Sequence, residues 1–140
     1  MKILLAVDGS SYSKKMLAYL GTHDALLSAD HDYTVFTAAP ALPARASAMV
    51  DKEMVASYYA EESEKVLAPV AKFLLRHGID AKTSWKVGSA GTLIAKAADS
   101  GKYDLLVMGS HGHGALTNLV MGSVTTQVLA HCKVPVLLVR

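Results

Sequence analysis

Short runs rich in Val, Ile and Leu alternate with amphipathic stretches along this chain, and that alternation restricts the fold more than any other feature of the sequence. The opening run, Lys2 to Val7, is apolar at every position after the lysine and stops at Asp8-Gly9-Ser10-Ser11. A run with no polar face reads as a strand buried on both sides, which a sheet covered by helices on both faces provides. Ser10 or Ser11 offers an oxygen to the free amides of a first helical turn, so a helix is expected from there to about Leu20. Further strands are expected at Tyr33 to Ala38, Ile79 to Val87 with Trp85 inside it, Asp104 to Met108, and Val134 to Val139. Further helices are expected at about Met49 to Arg76, Ala90 to Ser100 and Gly122 to His131. In the longest of these, Met54, Tyr58, Val66, Leu67, Val70, Phe73 and Leu74 share one broad stripe. Pro69 should kink or interrupt that helix, and His77-Gly78 supplies its stop. Strands and helices in alternation specify an α/β fold with an open parallel sheet, helices on both faces and right-handed crossovers.

A chain of 140 residues fits one domain, residues 1–140, and buries enough surface to fold without disulfides or metal. The single cysteine, Cys132, agrees. Hydrophobic residues make up 51% of the chain and charged ones 19%, which excludes a disordered polymer. The longest apolar run, Val134 to Val139, contains a proline and falls far short of the roughly 18 residues a membrane span requires. Asp8 ends the N-terminal apolar run before a signal peptide could be completed, so the expected location is cytoplasmic. Fourteen Lys and Arg stand against 12 Asp and Glu, scattered along the chain. That balance offers no basic face, so neither nucleic acid nor membrane is expected as a partner.

In open α/β sheets, ligands bind beyond the carboxyl ends of the strands, where the strand order reverses. Two segments belong there: Asp8-Gly9-Ser10 after the first strand, and Gly109 to Ser123 after the fourth. The second is much longer than the roughly 2 to 6 residues usual for such a connection, which marks it as functional. Gly109, Gly112 and Gly114 allow backbone amides to converge into an anion-binding nest. At the far end, Gly122-Ser123-Val124-Thr125-Thr126 opens the last helix, whose free amides and dipole favour phosphate, with the Ser123 and Thr125 hydroxyls as added donors. The spacing Gly109-x2-Gly112-x9-Gly122-Ser123 therefore suits a nucleoside polyphosphate. His111 and His113 are read as a pH-dependent phosphate contact, His111 foremost, and not as a zinc pair, because no nearby Cys, Asp or Glu completes a shell. The plainer alternative is a flexible turn in which Leu116, Leu119, Val120 and Met121 pack as a helical fragment.

The opening Ile3-Leu4-Leu5-Ala6-Val7-Asp8-Gly9-Ser10, the segment Asp104-Leu105-Leu106-Val107-Met108-Gly109-Ser110, the glycine spacing and the closing Val134-Pro135-Val136-Leu137-Leu138-Val139 resemble a single-domain universal stress protein of the nucleotide-binding subclass, over nearly the whole length. The resemblance implies an ATP-binding fold with strand order 3-2-1-4-5 and a part in stress survival as a sensor or regulator. It implies that Asp8 lies near the ribose and a metal, that Val7 and Ala38 wall the adenine pocket, and that Met108 and Gly109 stand at its entrance. It further implies that Gly112, Gly122, Ser123, Val124 and Thr125 hold the phosphates. Asp8 has a competing use as a helix cap, but Ser10 and Ser11 are available for that. Thr117-Asn118 stands where many relatives have lysine or arginine, so a Mg²⁺ ion held by phosphate oxygens, water and Asp8 would supply the positive charge. No Asp, Glu or Lys in the loop positions water, so hydrolysis is expected to be slow at most.

The apolar residues of the closing strand, 134–139, would lie at a sheet edge and pair with a second copy to give a homodimer, as the resemblance also implies. Cys132 reads as a buried thiol, and Trp85, Tyr58 and Tyr59 as core and interface packing. A second function fits the same residues: a nucleotide-independent homodimeric scaffold that docks a protein partner through residues 110–121. A phosphoacceptor receiver domain does not fit, because it needs an aspartate at the end of the third strand, where Trp85-Lys86-Val87-Gly88 has none.

Overall fold

The computed structural model describes residues 1–113 and 120–140. The expected loop residues Gly114, Leu116, Thr117, Asn118 and Leu119 thus lie outside the described residues. In chain order the elements are β1 (Lys2–Ala6), α1 (Ser11–Gly21), β2 (Asp32–Ala39), α2 (Ala44–Ser47), α3 (Lys52–Arg76), β3 (Lys82–Val87), α4 (Ala90–Ser100), β4 (Leu105–Gly109), α5 (Ser123–His131) and β5 (Val136–Val139). The five strands form a parallel sheet in the order β3-β2-β1-β4-β5, as the resemblance implied.

The central strand sets this arrangement. Ile3, Leu4, Leu5 and Ala6 are each no more than 5% exposed, and they alternate between two cores. Ile3 and Leu5, with Tyr33, Val35 and Val107, meet Met16 and Leu20 of α1 and Leu67, Val70 and Leu74 of α3. Leu4 and Ala6, with Phe36, Leu106 and Met108, meet Ile94 and Ala98 of α4 and Val128 of α5. Register places Ala6 beside Phe36 on one side and Met108 on the other, so the carboxyl ends of β2, β1 and β4 lie at one end of the sheet, with β4 running one residue and β2 three residues past the end of β1. That common end is where the order reverses between β1 and its two neighbours.

Several boundaries differ from expectation for local reasons. The long helix starts at Lys52, not near Met49, because the Asp51 carboxylate accepts from the Met54 amide at 2.8 Å and caps it there. Ahead of it, α2 forms a single unexpected turn after Pro43. Pro69 does not interrupt α3: both Pro69 and Lys65 are exposed, so the carbonyl that loses its intrahelical donor sits on the solvent side of the helix. The expected apolar stripe holds only in the C-terminal half of α3, since Met54 is 59% and Tyr58 45% exposed. β3 begins at Lys82, three residues later than expected, and as an edge strand all six of its residues are exposed. Trp85 therefore stands on the surface and not in the core. Pro135 keeps β5 to Val136–Val139, two residues shorter than expected.

Cys132 is half-buried, its thiol facing Asp99 Oδ1 and the Val134 carbonyl at 3.7 Å, and burial pushes its pKa up. Among the described residues no helix is long and apolar enough to cross a membrane.

Leu106, fully buried under α4 and α5, gives the packing test: Leu106→Ala should lower stability by about 2–5 kcal/mol, read as a lower urea midpoint at unchanged slope. The raised thiol pKa predicts that Cys132 reacts with iodoacetamide at pH 8 more slowly in the native protein than in urea. Equal rates would show that the thiol is as ionised in the fold as in the open chain.

Candidate functional site

The turn between β1 and α1 is tied by three short-range residues. Asp8 Oδ1 accepts from the Ser10 amide and from the Ser13 hydroxyl, both at 2.9 Å. The Ser13 hydroxyl in turn accepts from the Asp8 amide at 3.0 Å. Gly9 takes a φ of +78°, a left-handed conformation that glycine adopts without strain, and lets the chain reverse within two residues. Ser10 caps α1, its hydroxyl oxygen accepting from the Ser13 amide, which frees Asp8 from that duty as the sequence suggested. The carboxylate is thereby fixed at the mouth of the sheet, with Oδ2 turned toward Gly112. A Cβ at Gly112 would lie only 2.6 Å from that oxygen.

The segment after β4 is locked at both its ends. The Gly122 amide donates to the Ser110 carbonyl at 2.8 Å, and the Thr125 hydroxyl donates to the Gly109 and Ser110 carbonyls at 3.2 and 3.0 Å. Those bonds close the base of the excursion and correct two details of the sequence reading. The Gly122 amide and the Thr125 hydroxyl hold the chain to itself and are not open donors for a phosphate. What remains open is the start of α5: its N-cap, Gly122, brings no side chain, so no side-chain bond caps the first turn formed by Ser123, Val124 and Thr125. α4 likewise starts without a side-chain cap at Ser89. α1 and α3, by contrast, are capped by Ser10 and Asp51.

The two histidines sit across this opening. His113 Nε2 lies 2.7 Å from the Asp8 carbonyl oxygen, so that nitrogen carries the proton and donates. His111 Nδ1 is 2.8 Å from the Ser110 hydroxyl, and its ring lies 4.8 Å from that of Tyr12, over which Lys15 Nζ stands at 4.6 Å.

Between these parts lies a cavity of about 280 Å³. Of the sequence-predicted site residues, Val7, Asp8, Ala38, Met108, Gly109, His111, Gly112, His113, Gly122, Ser123, Val124 and Thr125 line it. Gly9 and Ser10 do not; they build the turn and the cap beneath. Four lining residues escaped the sequence reading: Ala6, Ser13, Ala90 and Ile94. Three of them read as ordinary core positions, and only the Asp8-x-Ser10-x-x-Ser13 spacing of a side chain bonding into a helix start gave a usable signal. The lining joins apolar Ala6, Val7, Ala38, Ile94 and Met108 with glycine backbone, the uncapped start of α5 and the Asp8 carboxylate. No Lys or Arg lines it, and no group of three His, Cys, Asp or Glu suited to a metal occurs among the described residues. Such a site can take a flat apolar ring and an anion bound by backbone amides.

Comparison with known proteins places this geometry. The sequence pattern of the universal stress protein family matches residues 1–140. Over 143 residues the chain is 33% identical to a universal stress protein of Thermus aquaticus, covering 99% of this chain and 97% of that protein. It is 31% identical over 139 residues to universal stress protein Slr1230 of Synechocystis sp., covering 99% of this chain but only 42% of that longer protein. The solved structure of MJ0577 from Methanocaldococcus jannaschii superposes with a TM-score of 0.81 at 26% identity, covering 99% of this chain and 94% of that one. Two further structures share the fold: a family member from Arabidopsis thaliana with AMP bound (TM-score 0.71, 14% identity, 99% and 90% covered) and one from Archaeoglobus fulgidus in complex with dAMP (TM-score 0.70, 18% identity, 100% and 98% covered). With its sheet order, its turn at Asp8 and its glycine-bounded excursion after β4, the chain belongs to the universal stress protein family.

Proposed function

We propose that the chain binds ATP in the cavity at the carboxyl ends of β1, β2 and β4, and acts as a cytoplasmic stress-response sensor or regulator. The observation that carries this reading is one cavity whose lining joins apolar residues, Ala38 and Met108 among them, with the uncapped start of α5. The adenine lies against Val7, Ala38 and Met108, the ribose near Asp8, and the phosphates against Gly112, Ser123 and Val124. The AMP and dAMP held by the two structural neighbours support the class of ligand.

With no Lys or Arg among the described residues of the cavity wall, the triphosphate charge is met by backbone dipoles and by Mg²⁺. Asp8 fits that ion: it is a hard oxygen ligand, and Oδ1 alone carries its two hydrogen bonds, which leaves Oδ2 facing the phosphate end. The ion's shell would be completed by phosphate oxygens and water, and it would offset the negative charge of the polyphosphate. Hydrolysis is slow at most, since among the described residues the ionisable side chains on the wall are Asp8, His111 and His113, and His113 spends its Nε2 proton on the Asp8 carbonyl. The β5 edge, whose Val136, Leu137 and Leu138 are only half-buried, pairs with a second copy to form a homodimer.

Titration calorimetry with Mg-ATP should give saturable one-site binding, and nucleotide at a hundredfold excess over Kd should add about 2.7 kcal/mol to the unfolding free energy. Gly122→Val, whose Cβ would meet His111 Cα at 3.2 Å and the Ser110 carbonyl at 3.4 Å, should abolish it while circular dichroism stays native. Wild-type binding by that variant would overturn the reading. Chelating Mg²⁺ should weaken ATP at least tenfold and leave AMP nearly unchanged, because only the triphosphate depends on the ion. Equal sensitivity of the two nucleotides would remove Asp8 from any metal role.

A further inference from the structure

A second cavity, of about 290 Å³, lies on the α3 side of the sheet beyond the carboxyl end of β2. Asp8, Ala38 and His113 line both cavities, so the two meet along the His113 side chain, pinned there by its bond to the Asp8 carbonyl. Thr37, Ala39 and Pro40 continue the wall along β2, and Glu62, Ser63 and Val66 complete it from α3.

Its chemistry differs from that of the first cavity. Ser63 is 2% exposed, and its hydroxyl has no hydrogen-bond partner, the one buried side-chain oxygen or nitrogen so left among the described residues. A buried hydroxyl without a bond destabilises the fold, which makes it a group waiting for a partner. Thr37, 4% exposed, brings a second hydroxyl to the same wall. The charged side chains that line it, Asp8 and Glu62, are both carboxylates, and no Lys or Arg lines it among the described residues. No uncapped helix start contributes either, because the α3 residues here come from the middle of the helix. An anion would meet two like charges, of which Glu62 alone is offset, by its ion pair with Lys65 Nζ at 3.0 Å. An N–H donor would meet the Ser63 and Thr37 hydroxyls and the Glu62 carboxylate, beside the apolar surfaces of Ala39, Pro40 and Val66.

We infer that this cavity is a second binding site, taking a neutral heterocycle that carries N–H donors, such as a nucleobase, next to the first cavity and separated from it by His113. The inference stands on the residues of this cavity; only the arm of the test run with the first cavity filled rests on the nucleotide reading.

Adenosine, which has no phosphate, is the probe. It is titrated into ¹⁵N-labelled protein with and without saturating Mg-ATP. Saturable amide shifts at Ala39 and Val66 are expected in both arms, while Mg-ATP alone shifts residues such as Met108 and Val124. Ser63→Ala should weaken the Ala39 and Val66 response about tenfold. In the same variant the urea midpoint of the ligand-free protein should rise, because an unpartnered buried hydroxyl is removed; a serine with a purely structural role would lower it. Thr37→Val should weaken adenosine in the same way and serves if Ser63→Ala folds poorly. The inference falls if adenosine leaves Ala39 and Val66 unmoved, if both variants bind it as wild type does, or if pyrophosphate produces the same shifts there. Should Mg-ATP itself fail to bind, the nucleotide reading falls alone, and the adenosine shifts still decide the second site.

Discussion

β1 has no face that water reaches, and the rest of the molecule follows from that constraint. A strand whose alternate residues, Ile3 and Leu5 on one side and Leu4 and Ala6 on the other, are all buried must be covered twice. Two helix layers answer this, α1 with α3 and α4 with α5. Helices on both faces require long crossovers, crossovers make the neighbouring strands parallel, and parallel strands bring their carboxyl ends to one side. Because β1 lies between β2 and β4, the chain leaves it toward one face and returns on the other, and a crevice opens between the two excursions. The cavity beside Asp8 is thus a consequence of where the apolar residues of one pentapeptide must go.

The crevice is held open by short polar ties more than by packing. Asp8, Ser10 and Ser13 bind one another across a two-residue turn, and Gly122, Thr125 and Ser110 close the base of the segment after β4. Each of these bonds commits a group that the sequence alone would have offered to a ligand. The glycines have the same double character. Gly109 stands where a Cβ would lie 2.8 Å from that of Tyr12, and Gly122 where one would press on His111 and Ser110. They are small because the chain crosses itself closely there, and Ser123 and Val124 at the uncapped start of α5 line the cavity beside them. Structural necessity and the proposed anion site therefore draw on the same residues.

The two cavities that meet at His113 divide the polar resources of the sheet end between them. The α4–α5 side receives uncapped helix starts and bare backbone, which favour anions. The α3 side receives hydroxyls and carboxylates, which favour donors. The division follows the pleat of β2: Phe36 and Ala38 face the α4–α5 core, and the alternate residues Val35 and Thr37 face α3. One strand end consequently presents different chemistry to its two faces.

The sequence by itself determined the element order, the buried central strand and the two segments that border the crevice, because apolar periodicity and turn residues are local properties that survive without knowledge of neighbours. It also named most of the residues that line the first cavity, since glycine spacing and the Asp8 turn are written in short stretches of chain. It missed where α3 begins, that Pro69 is tolerated on the solvent side, and that Trp85 and Tyr58 are exposed, because each depends on which side of an element its neighbours cover. Only the tertiary structure decided that the Gly122 amide and the Thr125 hydroxyl are already bonded, that Ala90 and Ile94 wall the cavity, and that Ser63 is buried without a partner. Those facts rest on atoms brought together from distant parts of the chain, and no pattern within a single segment encodes a distance between two.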